Sequence, residues 1–363
     1  MKGTHAATQP VGEDTPSESE KASPFGRRTP YPVDRGIRIA LICVAVAIMV
    51  VAAFLGWSIY NNAHLAATQS PAARAVANLE AIVAQTPNLA SARVKLAEAM
   101  IANDQLDEAI QELQAALTIE KDNATALTDL GLIAMQRADW TQAEAYWIKL
   151  IGILSVADMS SKNTALADVY YYLGSTYVEQ KRYEEAVANL KKSLSIERDS
   201  SPAHYILSVA YQRLNLPDLQ EQELRIVIAF DPKHAQANYD LGLLVLAQGD
   251  VAQAAELFRV AADNAPAGIT APADQLAKLG TAAAHLASAQ GLQASDPAKS
   301  LTEARVAAAL DPKNADIVRL VAQLAEKQKD TQRALNAWQK YLELVPGDPT
   351  ATDAIQRLSA HAK

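Results

Sequence analysis

The sequence predicts an all-α chain: an α-α solenoid of stacked helix pairs, preceded by one transmembrane helix and a disordered N-terminal tail. Three observations carry this. A leucine recurs with a spacing of 34 residues at Leu96 and Leu130 and again at Leu173, Leu207 and Leu241, each followed by a small residue: Ala97, Gly131, Gly174, Ser208, Gly242. Large side chains keep the same register at Leu113, Trp147, Leu190, Leu224 and Phe258, with alanine ahead of them at Ala109, Ala143, Ala186 and Ala254. Ahead of the repeats lies an uncharged apolar run of 19 residues, Ile39 to Trp57.

Residues 1–36 read as a disordered cytoplasmic tail. The first 38 residues hold six Lys or Arg and five Asp or Glu among many Pro, Ser, Thr and Gly, too few apolar side chains to offset the entropy of ordering. Residues 37–60 read as the transmembrane helix. Ten of the 19 core residues are Ile, Leu, Val or Phe, which favours insertion by about 3–6 kcal/mol. At 1.5 Å per residue the run reaches about 28 Å, close to a hydrocarbon core of roughly 30 Å. It is longer than a signal-peptide core and is followed by no small-x-small cleavage site, so the anchor is expected to stay in place. Arg27, Arg28, Arg35 and Arg38 precede it, and the next cation is Arg74. The positive-inside rule then predicts a single-pass protein of the plasma (inner) membrane with its N-terminus in the cytoplasm and its repeats outside. Cys43 is the only cysteine and lies inside the run, so the exported part can form no disulfide.

Residues 61–70 are a linker, and 71–363 form the repeat domain. With the leucine counted as position 7, small residues at 8 and 20 let two antiparallel helices approach, large ones at 24 fill the gap, and Pro232 and Pro266 at 32 stop the second helix. This pattern resembles the tetratricopeptide (TPR) repeat. The resemblance implies a right-handed superhelix whose first helices line the concave surface. Extended outward, the register predicts a half repeat at 71–89 and repeats at about 90–123, 124–157, 167–200, 201–234, 235–268, 273–314 and 315–348. In it Leu279-Gly280 opens the sixth full repeat. A capping helix at 349–363, with Ala351, Ile355 and Leu358 on one face, closes the stack. Two insertions break the period, one near 155–163 and one near 290–296.

Catalytic chemistry is not written into the chain. The six histidines are scattered, and there is no metal-binding HExxH pair, phosphate-cradling loop or nucleophile elbow. No enzyme, metal, cofactor or small-molecule substrate is expected. His204 stands where TPR proteins place a core aromatic and is read as core. Beyond residue 38 the chain holds 27 basic and 36 acidic residues, and an acidic solenoid without a basic stripe is a poor nucleic-acid binder.

Recognition of a protein or peptide partner remains. The resemblance implies that positions 2, 5, 6, 9, 12 and 13 point into the groove. Position 5 is Tyr171, Tyr205 and Tyr239 in three consecutive repeats, with Tyr172, Val209, Gln212, Arg213, Asp240 and Leu243 around them. Such tyrosines present apolar faces and hydroxyls to an extended peptide. Tyrosine there is equally what the TPR pattern uses for packing inside a repeat, and both readings stand. The lysine and asparagine positions of carboxylate-clamp TPR domains hold Val94, Lys95, Glu98, Thr128, Asp129 and Leu132 instead. The expected function is a membrane-anchored interaction scaffold of the cell envelope that assists protein translocation or cytochrome c maturation. The alternative is a structural subunit of a secretion, pilus or other membrane complex.

Overall fold

The structure, a computed structural model, describes residues 48–58, 60, 70–157 and 164–361. It divides into two units, residues 1–69 and 70–363. In the first, residues 48–58 are helical, with Ile48, Val50, Phe54 and Trp57 exposed. Among the described residues no helix is long and apolar enough to cross a membrane. The spanning helix expected over 37–60 is therefore not found. Its first part, through residue 47, lies outside the described residues, as do the tail at 1–36 and residues 61–69 of the linker.

The second unit contains 17 helices and no strand among its described residues. Helix α1 is Pro71–Gln85. The pairs that follow are α2 (Ala90–Ala102) with α3 (Leu106–Ile119), α4 (Ala124–Gln136) with α5 (Trp140–Ala157), and α6 (Thr164–Glu179) with α7 (Tyr183–Ile196). Next come α8 (Ser201–Arg213) with α9 (Pro217–Phe230) and α10 (Ala235–Ala247) with α11 (Val251–Asn264). A short helix, α12 (Ala271–Lys278), precedes α13 (Ala282–Leu292), α14 (Pro297–Leu310), α15 (Ala315–Lys327), α16 (Thr331–Leu344) and α17 (Pro349–His361).

Several helices start where a short polar side chain accepts from a free backbone N–H. Asn123, Asp250, Asp296, Asn314 and Asp330 each cap the residue three positions on. The turn inside a pair repeats as well. Asp104, Ala138, Lys181, Asn215, Gly249 and Lys329 all adopt positive φ, between 56° and 91°, at the same place in six repeats. Only one of the six is glycine, so five carry the steric cost of a left-handed residue.

Within a pair the small-to-large register becomes contact. A Cβ built on Gly131 would lie 2.5 Å from the Trp147 ring, one on Gly174 2.6 Å from Leu190, and one on Gly242 2.6 Å from Phe258. Position 4 adds a recurring polar link. Arg93 bonds Glu112 at 2.6 Å and the Pro87 carbonyl at 3.0 Å. His204 does the same with Glu223 and the Arg198 carbonyl, at 2.5 and 2.9 Å. His285 does so with Glu303 and the Leu279 carbonyl, at 2.7 and 2.8 Å.

That link exposes a misplaced register. His285 is the counterpart of His204, so the pair α13/α14 starts at Ala282, and Leu279-Gly280 is not the middle of a first helix. Leu279 caps α12, and Gly280, at φ +118°, turns the chain into α13. The second insertion accordingly falls before the pair, as α12, and not at 290–296, where α13 and α14 meet in a short turn. An apolar residue followed by glycine imitated the repeat signature. Of the first insertion, 155–157 finish α5, and 158–163 lie outside the described residues.

From α1 to α11 every helix packs on the next. At α12 this rule changes. Helix α11 packs on α12 and directly on α14, whereas α13 packs closely only on α14. Ala252 and Ala255 of α11 meet Val306 and Ala309 of α14, all four buried, and side chains this small let two second helices approach closely. The stack then continues in order through α17.

Candidate partner-binding face

The residues singled out as groove-lining sit on the first helices α6, α8 and α10, held by the pairing just described. Tyr171 and Tyr172 are half-buried, their rings 5.2 Å apart. Tyr172 stacks on Trp147 of the preceding pair, centroids 5.0 Å apart and planes at 19°. Tyr205 packs 5.0 Å from His234, and its hydroxyl donates to Asp240 at 3.2 Å. Tyr239 lies 5.9 Å from Phe258, and Asp240 also accepts from Gln236 at 3.0 Å. Val209 and Leu243 are half-buried, and Gln212 and Arg213 are exposed.

Each tyrosine thus has one side against the core. Tyr171 and Tyr172 border one buried cluster, and Tyr205, Tyr239 and Leu243 border another. No ring contact joins Tyr171 to Tyr205, or Tyr205 to Tyr239, among the described residues. The three are spaced side chains on successive helices and not a continuous stack. Tyr205 ties its repeat to the next through Asp240.

Burial shifts the titration of this face. It raises the Asp240 carboxyl against the lowering effect of its bonds to Gln236 and Tyr205. It raises the Tyr205 hydroxyl too, helped by Asp240. On α4, at position 6 of its repeat, Asp129 is perturbed as well: burial, then the nearby Glu98, push its carboxyl up to about 6. One of its oxygens is buried without a hydrogen-bond partner, as is the Trp147 indole N–H. Trp147 opposite Gly131 was legible from spacing, but the burial of Asp129 had no local signal. Among the described residues no cluster of His, Cys, Asp or Glu is arranged to hold a metal.

Three family profiles, each described as tetratricopeptide repeat, match residues 122–199, residues 207–269 with 292–349, and residues 68–122. Together they span well over half of the chain. Among curated proteins, the chain is 33% identical over 75 residues to the type IV pilus assembly protein PilF of Pseudomonas aeruginosa, covering 21% of this chain and 30% of that protein. It is 27% identical over 156 residues to the cellulose synthase 1 operon protein C of Komagataeibacter xylinus, covering 42% of this chain and 12% of that one. The matches thus span less than a third of either relative. Among solved structures, YrrB, titled a TPR protein with an unusual peptide-binding site, is 18% identical, with 54% of this chain and 97% of that chain covered and a TM-score of 0.44.

Proposed function

The chain belongs to the tetratricopeptide-repeat family, and from that premise we propose that it is a non-catalytic, membrane-anchored scaffold that holds a partner polypeptide along its first helices. The observation that carries this is the run of Tyr171, Tyr205 and Tyr239 on consecutive first helices, half-exposed beside the exposed Gln212 and Arg213. Flat rings supply apolar contact at low entropic cost, and the exposed guanidinium can pair with a carboxylate. The anchor rests on the apolar run Ile39–Trp57 and its arginine-rich leading flank. It places the repeats on the outer side of the plasma (inner) membrane, where a translocating or maturing polypeptide is the partner.

Crosslinking in cells from a photoreactive residue at Val209 tests the face. Changing Tyr171, Tyr205 and Tyr239 together to Ala is expected to abolish the crosslinked product. Because those rings also pack on the core, Gln212→Ala with Arg213→Glu serves as a second variant that leaves packing untouched. Undiminished crosslinking in both variants sinks the reading. A reporter enzyme active only outside the cytoplasm, fused after Lys363, is expected to be active.

A second reading has its own support. The two curated relatives are named for pilus assembly and for a cellulose synthase operon, so a structural subunit of an envelope machine fits as well. In that case the detergent-solubilised chain runs as part of a large complex whose assembly survives the tyrosine changes.

A further inference from the structure

The departure from regular stacking at α12 opens a cleft that the first-helix face does not share. Its volume is about 970 Å³, at the upper end of the range for ligand pockets. The second helices α11, α14 and α16 wall it, and Val318 and Val321 of α15 close one side. Its apolar floor is Ala309, Val318 and Val321, all buried, with Ala337 and Leu344 half-buried beside them. Ordinarily the first helix of a pair covers the second helix before it. Here α13 packs closely only on α14, so among the described residues no first helix covers α11 in this way.

The rim differs in charge from the rest of the molecule. Arg259, Arg305, Lys313, Arg333 and Lys340 line it with Glu256, Asp263 and Asp330, a lining of net charge +2 in a chain of net charge −8. Arg259 pairs with Asp263, Arg305 with Glu256 and Arg333 with Asp330, so the excess lies on Lys313 and on Lys340, which makes an exposed pair with Glu343 just outside the lining. Arg305 is positioned by Glu256 at 2.9 Å and is only 13% exposed, whereas Lys313 and Lys340 are exposed. We propose that this cleft is a second binding site, for an acidic segment of a partner polypeptide that seats an apolar side chain on the alanine-valine floor and flanks it with carboxylates facing the lysines. Charge complementarity selects the occupant. A basic segment would meet the excess positive charge of Lys313 and Lys340, and like charges brought together across an interface disfavour the wrong partner.

The test uses the full-length chain in detergent micelles and two fluorescein-labelled peptides of equal length. One alternates leucine with Glu and Asp, and the other carries Lys at every acidic position. Fluorescence anisotropy is expected to show the acidic peptide binding at least about tenfold more tightly, with affinity falling as salt rises. Lys313→Glu with Lys340→Glu, both exposed, with only the exposed Lys340–Glu343 pair lost, is expected to weaken it by about tenfold or more. Ala337→Trp, which fills the floor without altering charge, should do likewise. The Gln212→Ala with Arg213→Glu variant, which alters the first-helix face without touching the core, should bind the acidic peptide unchanged. The proposal is overturned if the acidic peptide does not bind, if both peptides bind alike, or if the lysine variant binds it undiminished. Loss of binding in the Gln212 and Arg213 variant also overturns it, because the peptide then lies on the first-helix face.

Discussion

Two stretches of one repeat domain solve the same packing problem differently. Between α2 and α11 each helix is covered by the next, and a glycine or other small residue faces a large one inside each pair, as Gly131 faces Trp147 and Gly242 faces Phe258. At α12 the contact instead passes from one second helix, α11, to another, α14, through Ala252, Ala255, Val306 and Ala309. The first arrangement buries large side chains and repeats itself. The second buries small ones, joins two blocks and leaves a cleft. A repeat array is held by nearest-neighbour interfaces, so replacing one of them with a small-residue contact creates the place where the array is most easily divided.

The largest expected effect tests that division. Trp147→Ala, in the regular block, should cost about 3–5 kcal/mol, as for other buried tryptophans, and Trp338→Ala, beyond α12, about the same. Hydrogen exchange should show Trp147→Ala lowering protection through α2–α9 while α14–α17 stay protected, and Trp338→Ala the reverse. Uniform loss along the whole domain in both variants breaks the two-block comparison.

Next in size is the glycine register. Gly131→Ala should destabilise by about 1–2 kcal/mol net, because overpacking against Trp147 outweighs the roughly 1 kcal/mol gained in helix propensity. Gly152, whose added Cβ would meet nothing within 4 Å, is the control: Gly152→Ala should raise the melting temperature.

A pH dependence of about 1 kcal/mol, discounted for solvent screening, is expected at Asp129. Its folded value of about 6 lies above the ordinary 3.8, so the folded state keeps this proton at pH values where the unfolded chain has lost it. The fold therefore loses stability as pH rises from about 4 to 6 and gains no relief above that. Asp129→Asn should raise the melting temperature by about 2–4 °C at pH 7 and by nothing near pH 3. A shift of equal size at both pH values removes the carboxyl from the account.

Smallest is the turn. Ala138 sits at φ 56°, and Ala138→Gly should stabilise by about 0.5–1 kcal/mol, the relief of a left-handed alanine exceeding glycine's entropic cost. Thermal melts decide its sign.

Much of the fold was legible in the residues, and the illegible parts have a common character. Spacing alone paired Gly131 with Trp147 and Gly242 with Phe258, since both contacts lie within one helix pair. It failed at Leu279-Gly280, where an apolar residue before glycine marks a helix end instead of a helix middle. The same lapse put extra residues at 290–296 and hid the counterpart of His204 at His285. On the proposed face, the tyrosine positions were readable, but the Tyr205 bond to Asp240 and the partnerless Asp129 oxygen depend on how neighbouring repeats meet.

By itself the sequence determined an all-helical repeat protein: a 34-residue period with alternating small and large residues permits only close antiparallel helix pairs. It also raised the expectation of a membrane anchor, which stays a proposal. Only the tertiary structure decided where the stacking changes, because Ala252, Ala255, Val306 and Ala309 carry no periodic signal that separates them from the other alanines of an alanine-rich chain. Which second helices stay uncovered, and hence where five cations gather around an apolar floor, follows from long-range geometry and not from any local pattern.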